Sequence, residues 1–375
     1  MCKIHLFSFC LLNAALNPKI EVLRQRAISR SLFSPTTLKN AVERLKFVQA
    51  DPIRSPARAQ DLILRQRVEN YRAGDLEREY PNLELEEDFL YAYGFLTRDL
   101  RRLLHPRKID EPTAFEREIL DAVERFGETH PRQLEIHFGR TRVVNAWGGF
   151  SKATTRALEK LHHRGFLRVA RRANGIRVYQ IAASPASAEP LFLTERLKKI
   201  ILVTADIFAP VTERCLQEAL APLRRSLSSP PVNSKLIIAE LLESGELEKQ
   251  TLDGINYLSP FGKPVDNEIP RAVKFLAPFD PLVWDRRRFE HFWGWAYRFE
   301  AYTPAPKRLR GYYAMPMLWG EEIIGWANAR AQNKTLSVEF GFVGNEPTDS
   351  DFSTELEKEI ERLKIFLNLD ELSKD

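Results

Sequence analysis

An amide and a carboxylate stand one residue apart in Phe47-Val48-Gln49-Ala50-Asp51-Pro52-Ile53-Arg54. In an extended segment alternate side chains share a face, so Gln49 and Asp51 project together while Val48 and Ala50 pack behind. Pro52 pushes the residue before it out of the helical region and so holds Asp51 extended. A carboxylate in such a pair can stabilise positive charge or take a proton from water, and a neighbouring amide can donate and accept at once. Spacing alone favours a strand-end pair that bonds nearby backbone.

The rest of the chain narrows the choice. Its 375 residues suffice for two to four small domains, and 44% hydrophobic with 29% charged residues is the balance of a globular protein. A net charge of +5 suggests a polyanionic partner. Cys2, Cys10 and Cys215 form neither a CxxC pair nor a disulfide framework, which favours a reducing, cytoplasmic compartment and excludes a zinc ribbon. HExxH, Walker A and GxGxxG motifs are all missing, so metalloprotease, ATPase and dinucleotide chemistry lack support, and no metal or cofactor is expected. No stretch is apolar for long enough to span a bilayer. The apolar run after Lys3 imitates a secretory signal, but residues 1–19 read better as an extension or a misassigned start.

From residue 20 a helix–turn pattern repeats. Residues 21–30 and 36–46 read as helices that lead into the segment bearing Gln49 and Asp51, with an arginine-rich helix at 57–68. The acidic run 84–88 reads as a solvated face. At 111–183 Thr113 and Glu116 have capping-box spacing, Pro131 starts a second helix, Ser151 caps a third, and Asn174-Gly175 turns a hairpin. That is the winged helix-turn-helix order. Between Arg140 and Gln180 it carries ten basic residues against Glu159 alone, so Lys152, Arg156, Arg171, Arg172 and Arg177 are candidate DNA contacts. His162 and His163 are expected to face phosphate or solvent. A linker at 184–190 precedes a third, less basic copy at 191–260, with a helix start at Pro230-Pro231, a helix from Asn233 and a hairpin turning at Asp253-Gly254. Its wing is a candidate scaffold surface. Residues 270–375 are β-rich and barrel-like, with strands at 297–302, 312–319, 322–329 and 336–342 and a terminal helix. Trp293, Trp295, Trp319 and Trp326 read as core. The predicted class is α+β: a first winged-helix unit at 20–110, two further copies, and a C-terminal β-rich domain.

Three runs carry a family resemblance: Phe47 to Arg54, Trp147-Gly148-Gly149-Phe150-Ser151-Lys152 with the helix after it, and Leu276-Ala277-Pro278-Phe279-Asp280-Pro281-Leu282-Val283-Trp284-Asp285. With Gly311-Tyr312-Tyr313-Ala314-Met315-Pro316 they resemble the winged-helix DNA glycosylase family of YcaQ (AlkX) and AlkZ. Gln49-Ala50-Asp51 has the Gln-X-Asp form, similar to the crosslink-repair branch.

The resemblance implies three winged helices around a DNA channel and a monofunctional glycosylase. Its substrate would be N7-alkylated guanine in double-stranded DNA, crosslinks included, and its product an abasic site. Asp51 would stabilise the oxocarbenium-like sugar and help deprotonate water, and Gln49 would hold that water. Arg54, Arg58, Lys307 and Arg308 join the candidate DNA contacts. The protein would act as a monomer. A winged-helix transcription regulator or a structural DNA-binding protein remains the alternative, and neither would need Gln49 and Asp51.

Overall fold

The computed structural model describes residues 19–107, 111–144, 149–182, 192–227, 232–262 and 269–369. Trp147-Gly148, the 184–190 linker, Pro230-Pro231 and all but Lys19 of the 1–19 extension lie outside the described residues. The first unit runs α1 (Ile20–Ser31), α2 (Leu38–Leu45), β1 (Phe47–Gln49), α3 (Ala59–Leu64) and α4 (Asp75–Glu79), then a hairpin of β2 (Leu85–Phe89) and β3 (Tyr93–Thr97), then α5 (Arg98–Leu104). Thr37 and Thr97 cap α2 and α5 by accepting the Asn40 and Leu100 amides.

The second unit runs α6 (Ala114–Phe126), α7 (Pro131–Phe138), the short β4 (Arg142–Val144) and β5 (Phe150–Lys152), α8 (Ala153–His163), β6 (Leu167–Ala173) and β7 (Ile176–Ile181). Thr113 and Glu116 form the capping box expected of them. Asn174 and Gly175 turn the wing at φ 52° and 79°, both in the left-handed region that a two-residue hairpin needs. Ser151 does not cap α8. It lies in β5, and Lys152 precedes the helix without a side-chain cap.

The third unit runs α9 (Leu193–Phe208), β8 (Val211–Thr212), α10 (Glu213–Leu227), α11 (Ser234–Glu243), β9 (Leu247–Leu252) and β10 (Ile255–Pro260), with Asn233 capping α11. One pairing recurs in all three copies. A strand or bridge residue outside the hairpin pairs antiparallel with the hairpin's second strand: β1 with β3, Thr129 with Tyr179, and β8 with β10.

The C-terminal part holds β11 (Val273–Phe275), α12 (Pro281–Trp284), α13 (Arg286–Trp293), β12 (Met315–Trp319), β13 (Glu322–Gln332), β14 (Thr335–Phe342) and α14 (Ser350–Phe366). Its four strands form one open antiparallel sheet in chain order. The strand expected at 297–302 is instead irregular chain, because buried Glu300 accepts the Leu309 and Arg310 amides and folds 300–310 into a loop. Trp295 and Trp319 are buried, with Trp293 and Trp326 half-buried.

The first unit is the hub. One apolar cluster joins it to the second unit and the C-terminal sheet, another joins it to the third unit, and a third joins α1 to α12, α13 and Tyr257 of the third wing. The Phe279 to Asp285 run is joinery in this arrangement. Fully buried Asp280 accepts both terminal nitrogens of buried Arg67 at 2.8 and 2.9 Å, and Asp285 accepts the Thr212 amide at 2.8 Å.

The acidic run is not a solvated face. Glu86, Glu87 and Asp88 are 5%, 0% and 0% exposed, and each meets a cation from elsewhere in the chain. Buried carboxylates without such partners would not remain ionised. His162 is also buried, and its Nε2–H donates to the Glu87 carbonyl at 2.8 Å, so it faces neither phosphate nor solvent.

Candidate functional site

Lys46 turns the chain from α2 into β1 at φ 62°, and β1 runs against β3 so that Gln49 lies opposite Gly94. Only glycine fits there, since a Cβ would sit 2.4 Å from the Val48 carbonyl oxygen and 2.5 Å from the Phe47 ring. Behind the pair, Val48 is buried, and Ala50 and Ile53 pack on the core that includes Tyr313. The Ala50 amide donates to the Tyr93 carbonyl at 2.9 Å. Pro52 then leads into an Asx turn in which the Ile53 amide donates to Asp51 Oδ1 at 2.9 Å. One carboxylate oxygen is thereby anchored and its rotamer fixed.

Gln49 is 9% exposed, and its Oε1 is enclosed without a hydrogen-bond partner among the described residues. Asp51 is half-buried. Burial pushes its carboxyl pKa up, and the Ile53 amide opposes this only in part. Among the described residues no cation pairs with Asp51, whereas Glu87, Asp88, Asp280 and Glu359 all have arginine partners. It is a partly desolvated anion two residues after an enclosed acceptor amide. Such a site favours a cation and a water in need of an acceptor.

The C-terminal domain contributes a loop whose tyrosines feel the Asp51 charge. Tyr302, Tyr312 and Tyr313 belong to a loop whose inner edge is fixed by Glu300 and by Asn328, which binds the Arg310 carbonyl and the Tyr313 amide. The Asp51 charge reaches Tyr302 and Tyr313, and after burial it is the largest influence raising each phenol. Tyr302 is 79% exposed and Leu309 77%, so the loop displays large side chains to solvent. The 311–316 run stands out in the sequence, but type and spacing alone assign none of its residues a role.

The basic candidates divide by position. Arg54 and Lys307 are exposed, Arg308 is half-buried over the Tyr312 ring, Lys152 is exposed beside Glu135, Arg156 is half-buried, and Arg171 is exposed with Glu128 at 2.7 Å. Arg58, Arg172 and Arg177 point inward. Arg172 binds Glu87 through two nitrogens at 2.8 and 2.6 Å. Arg177 lies 4.0 Å over Tyr93 and 3.8 Å from Glu87, and Arg58 pairs with Glu77 beneath the Gly175 turn. These three, expected as DNA contacts, are engaged within the protein, where they pair with Glu77 and Glu87 of the first unit.

Comparison with known proteins fits this arrangement. The structure superposes on the Streptomyces sahachiroi DNA glycosylase AlkZ with a TM-score of 0.59, covering 92% of this chain and 96% of that one. At 14% identity the likeness speaks to the fold. A family described as DNA glycosylase AlkZ-like matches residues 42–366, a span that runs from within α2 to the end of α14. The chain belongs to that AlkZ-like family of DNA glycosylases.

Proposed function

We propose that this DNA glycosylase hydrolyses the N-glycosidic bond of N7-alkylated guanine, crosslinked guanine included, and leaves an abasic site. The carrying observation is Asp51, a half-buried carboxylate with no cation partner among the described residues, two residues after Gln49 with its enclosed acceptor Oε1. N7 alkylation makes guanine cationic and a good leaving group, so little general acid is needed. What needs stabilising is an oxocarbenium-like sugar, and Asp51 supplies the opposite charge. Gln49 and Asp51 then accept the two hydrogens of the attacking water, and Asp51 takes the proton as the bond to the sugar forms. A base tethered to the opposite strand cannot swing into a closed pocket, and the site's partly exposed rim suits such a substrate.

The test is single-turnover incubation with duplex DNA bearing one N7-alkylguanine, followed by alkali to cut abasic sites. Strand cleavage well above spontaneous depurination is expected; binding without cleavage on monoadduct and crosslinked DNA would sink the proposal. The rate should also fall as pH drops through the raised Asp51 pKa, because only the ionised carboxylate acts. The acid limb is therefore expected above the ordinary aspartate value of about 4. A flat profile down to pH ~4 would exclude Asp51 as the active anion.

The exposed Arg54, Lys152, Arg171 and Lys307 and the half-buried Arg156 and Arg308 are the proposed phosphate contacts. Replacing Lys152 and Arg156, or Lys307 and Arg308, by alanine is expected to reduce the salt-dependence slope of DNA binding by roughly 0.9 for each phosphate no longer neutralised. Arg172→Ala should leave that slope unchanged. Titrating affinity against salt for each variant separates the two groups, and an unchanged slope for the exposed pairs would refute the assignment.

A further inference from the structure

We propose that Tyr313 is a third catalytic group, its hydroxyl donating to the water that Gln49 and Asp51 accept from; this rests on the hydrolytic reading above. Tyr313 is 1% exposed, and its Oη has no hydrogen-bond partner among the described residues. Other buried tyrosines do have one. Tyr71 donates to Asp61, Tyr80 to the Val169 carbonyl and Tyr297 to the Ala314 carbonyl, and half-buried Tyr93 donates to Glu87. A buried hydroxyl left unpaired destabilises the fold, so its retention calls for a use.

Its setting supplies one. Asp51 is flanked by Ala50 and Ile53, which pack on the same apolar cluster as Tyr313. The Tyr313 ring is held edge-on by Phe299 at 5.3 Å, and its amide is bound by Asn328. Gln49 Oε1 and Tyr313 Oη are thus two enclosed polar atoms without partners among the described residues, and the Asp51 charge acts on Tyr313. Their hydrogen-bonding types are complementary around a single water. A water has two hydrogens and two lone pairs. Gln49 and Asp51 accept the hydrogens, the Tyr313 O–H occupies one lone pair, and the remaining lone pair is free to attack the sugar carbon. Neither acceptor alone fixes that last direction, and the phenol does. No proton is transferred from Tyr313, whose phenol is raised well above its ordinary range by burial and by Asp51.

The experiment compares wild type, Tyr313→Phe, Tyr313→Leu and Asp51→Asn on N7-alkylguanine duplex, measuring single-turnover rate, DNA Kd and Tm. Tyr313→Phe is expected to lose about a hundredfold in rate, with Kd unchanged, Tm unchanged or higher, and the acid limb where it stood. Tyr313→Leu should show the same rate loss in its folded fraction. A wild-type rate in Tyr313→Phe, with Asp51→Asn inactive, would overturn the phenol's role while leaving the Gln49–Asp51 reading intact. So would a rate loss that tracks a falling Tm. Full activity in Asp51→Asn would instead remove the hydrolytic reading, and the role of Tyr313 with it.

Discussion

Asp51→Asn is expected to lower single-turnover base release by roughly a hundred- to a thousandfold, while DNA affinity is kept and stability does not fall. The asparagine is nearly isosteric and can still accept the Ile53 amide through its oxygen, so the Asx turn survives. What disappears is the charge that stabilises the sugar cation and the base that takes the water's proton. The stability side has a definite sign. Because burial raises the Asp51 pKa in the folded state, its contribution to stability is fully present below the unfolded pKa and is lost as pH rises through the folded one. At neutral pH the ionised group therefore strains the fold, and removing its charge should leave Tm equal or higher. Base release by alkali cleavage, Kd and a melting curve on the same preparation check all three. Retained turnover would exclude Asp51, and a lowered Tm would recast it as a structural residue.

What is legible in the sequence is local. Asn174-Gly175 and Asp253-Gly254 turn their hairpins, Thr113 and Glu116 close their capping box, and Asn233 caps its helix, because each signal involves neighbours in the chain. Sequence misleads where partners come from far away. Glu87 looks solvated until Arg172 arrives from 85 positions later, and Arg168 reaches Glu86 from 82 positions away. The wing arginines mislead for the same reason, each group hiding the other's counterion. Aromatic residues at 297–302 alternate like a strand, but Glu300 takes two amides of the loop after it. At the site the sequence reveals Gln49 and Asp51 by type and spacing. It cannot show that Asp51 lacks a cation partner among the described residues, or that its charge reaches Tyr302 and Tyr313 of the C-terminal domain.

Asp88→Ala is expected to destabilise the protein by about 3–5 kcal/mol, the largest stability effect of any change considered. Asp88 is fully buried and accepts Arg107 at 2.8 Å and His105 Nε2 at 2.6 Å, while Arg107 also donates to the Phe89 carbonyl and to His163. Burial alone would raise the Asp88 pKa, yet the charge of Arg107 and the His105 contact hold it well below the usual range. Deleting the carboxylate strands a buried guanidinium with no anion. Glu84→Ala, at the exposed end of the same acidic run, should change stability by less than about 0.5 kcal/mol. Acid should act on the same junction. Burial lowers His162 and His163 to about 4, so between the unfolded value of about 6.5 and 4 the unfolded chain takes protons that the folded chain refuses. Stability supplied by Asp88 is present above its unfolded pKa and is lost at still lower pH. Melting curves from pH 7 to 4 on wild type, Asp88→Ala and Glu84→Ala check this, and an Asp88 variant as stable as the Glu84 variant would refute it. The consequence reaches the chemistry through register. Asp88 pairs with Gly94 on one side of β3 and Gln49 pairs with Gly94 on the other, so the charge junction and the strand end that bears Gln49 share one row of the sheet. Base release by Asp88→Ala should accordingly fall even below its melting transition, as the strand that carries Gln49 loses its fixed neighbour.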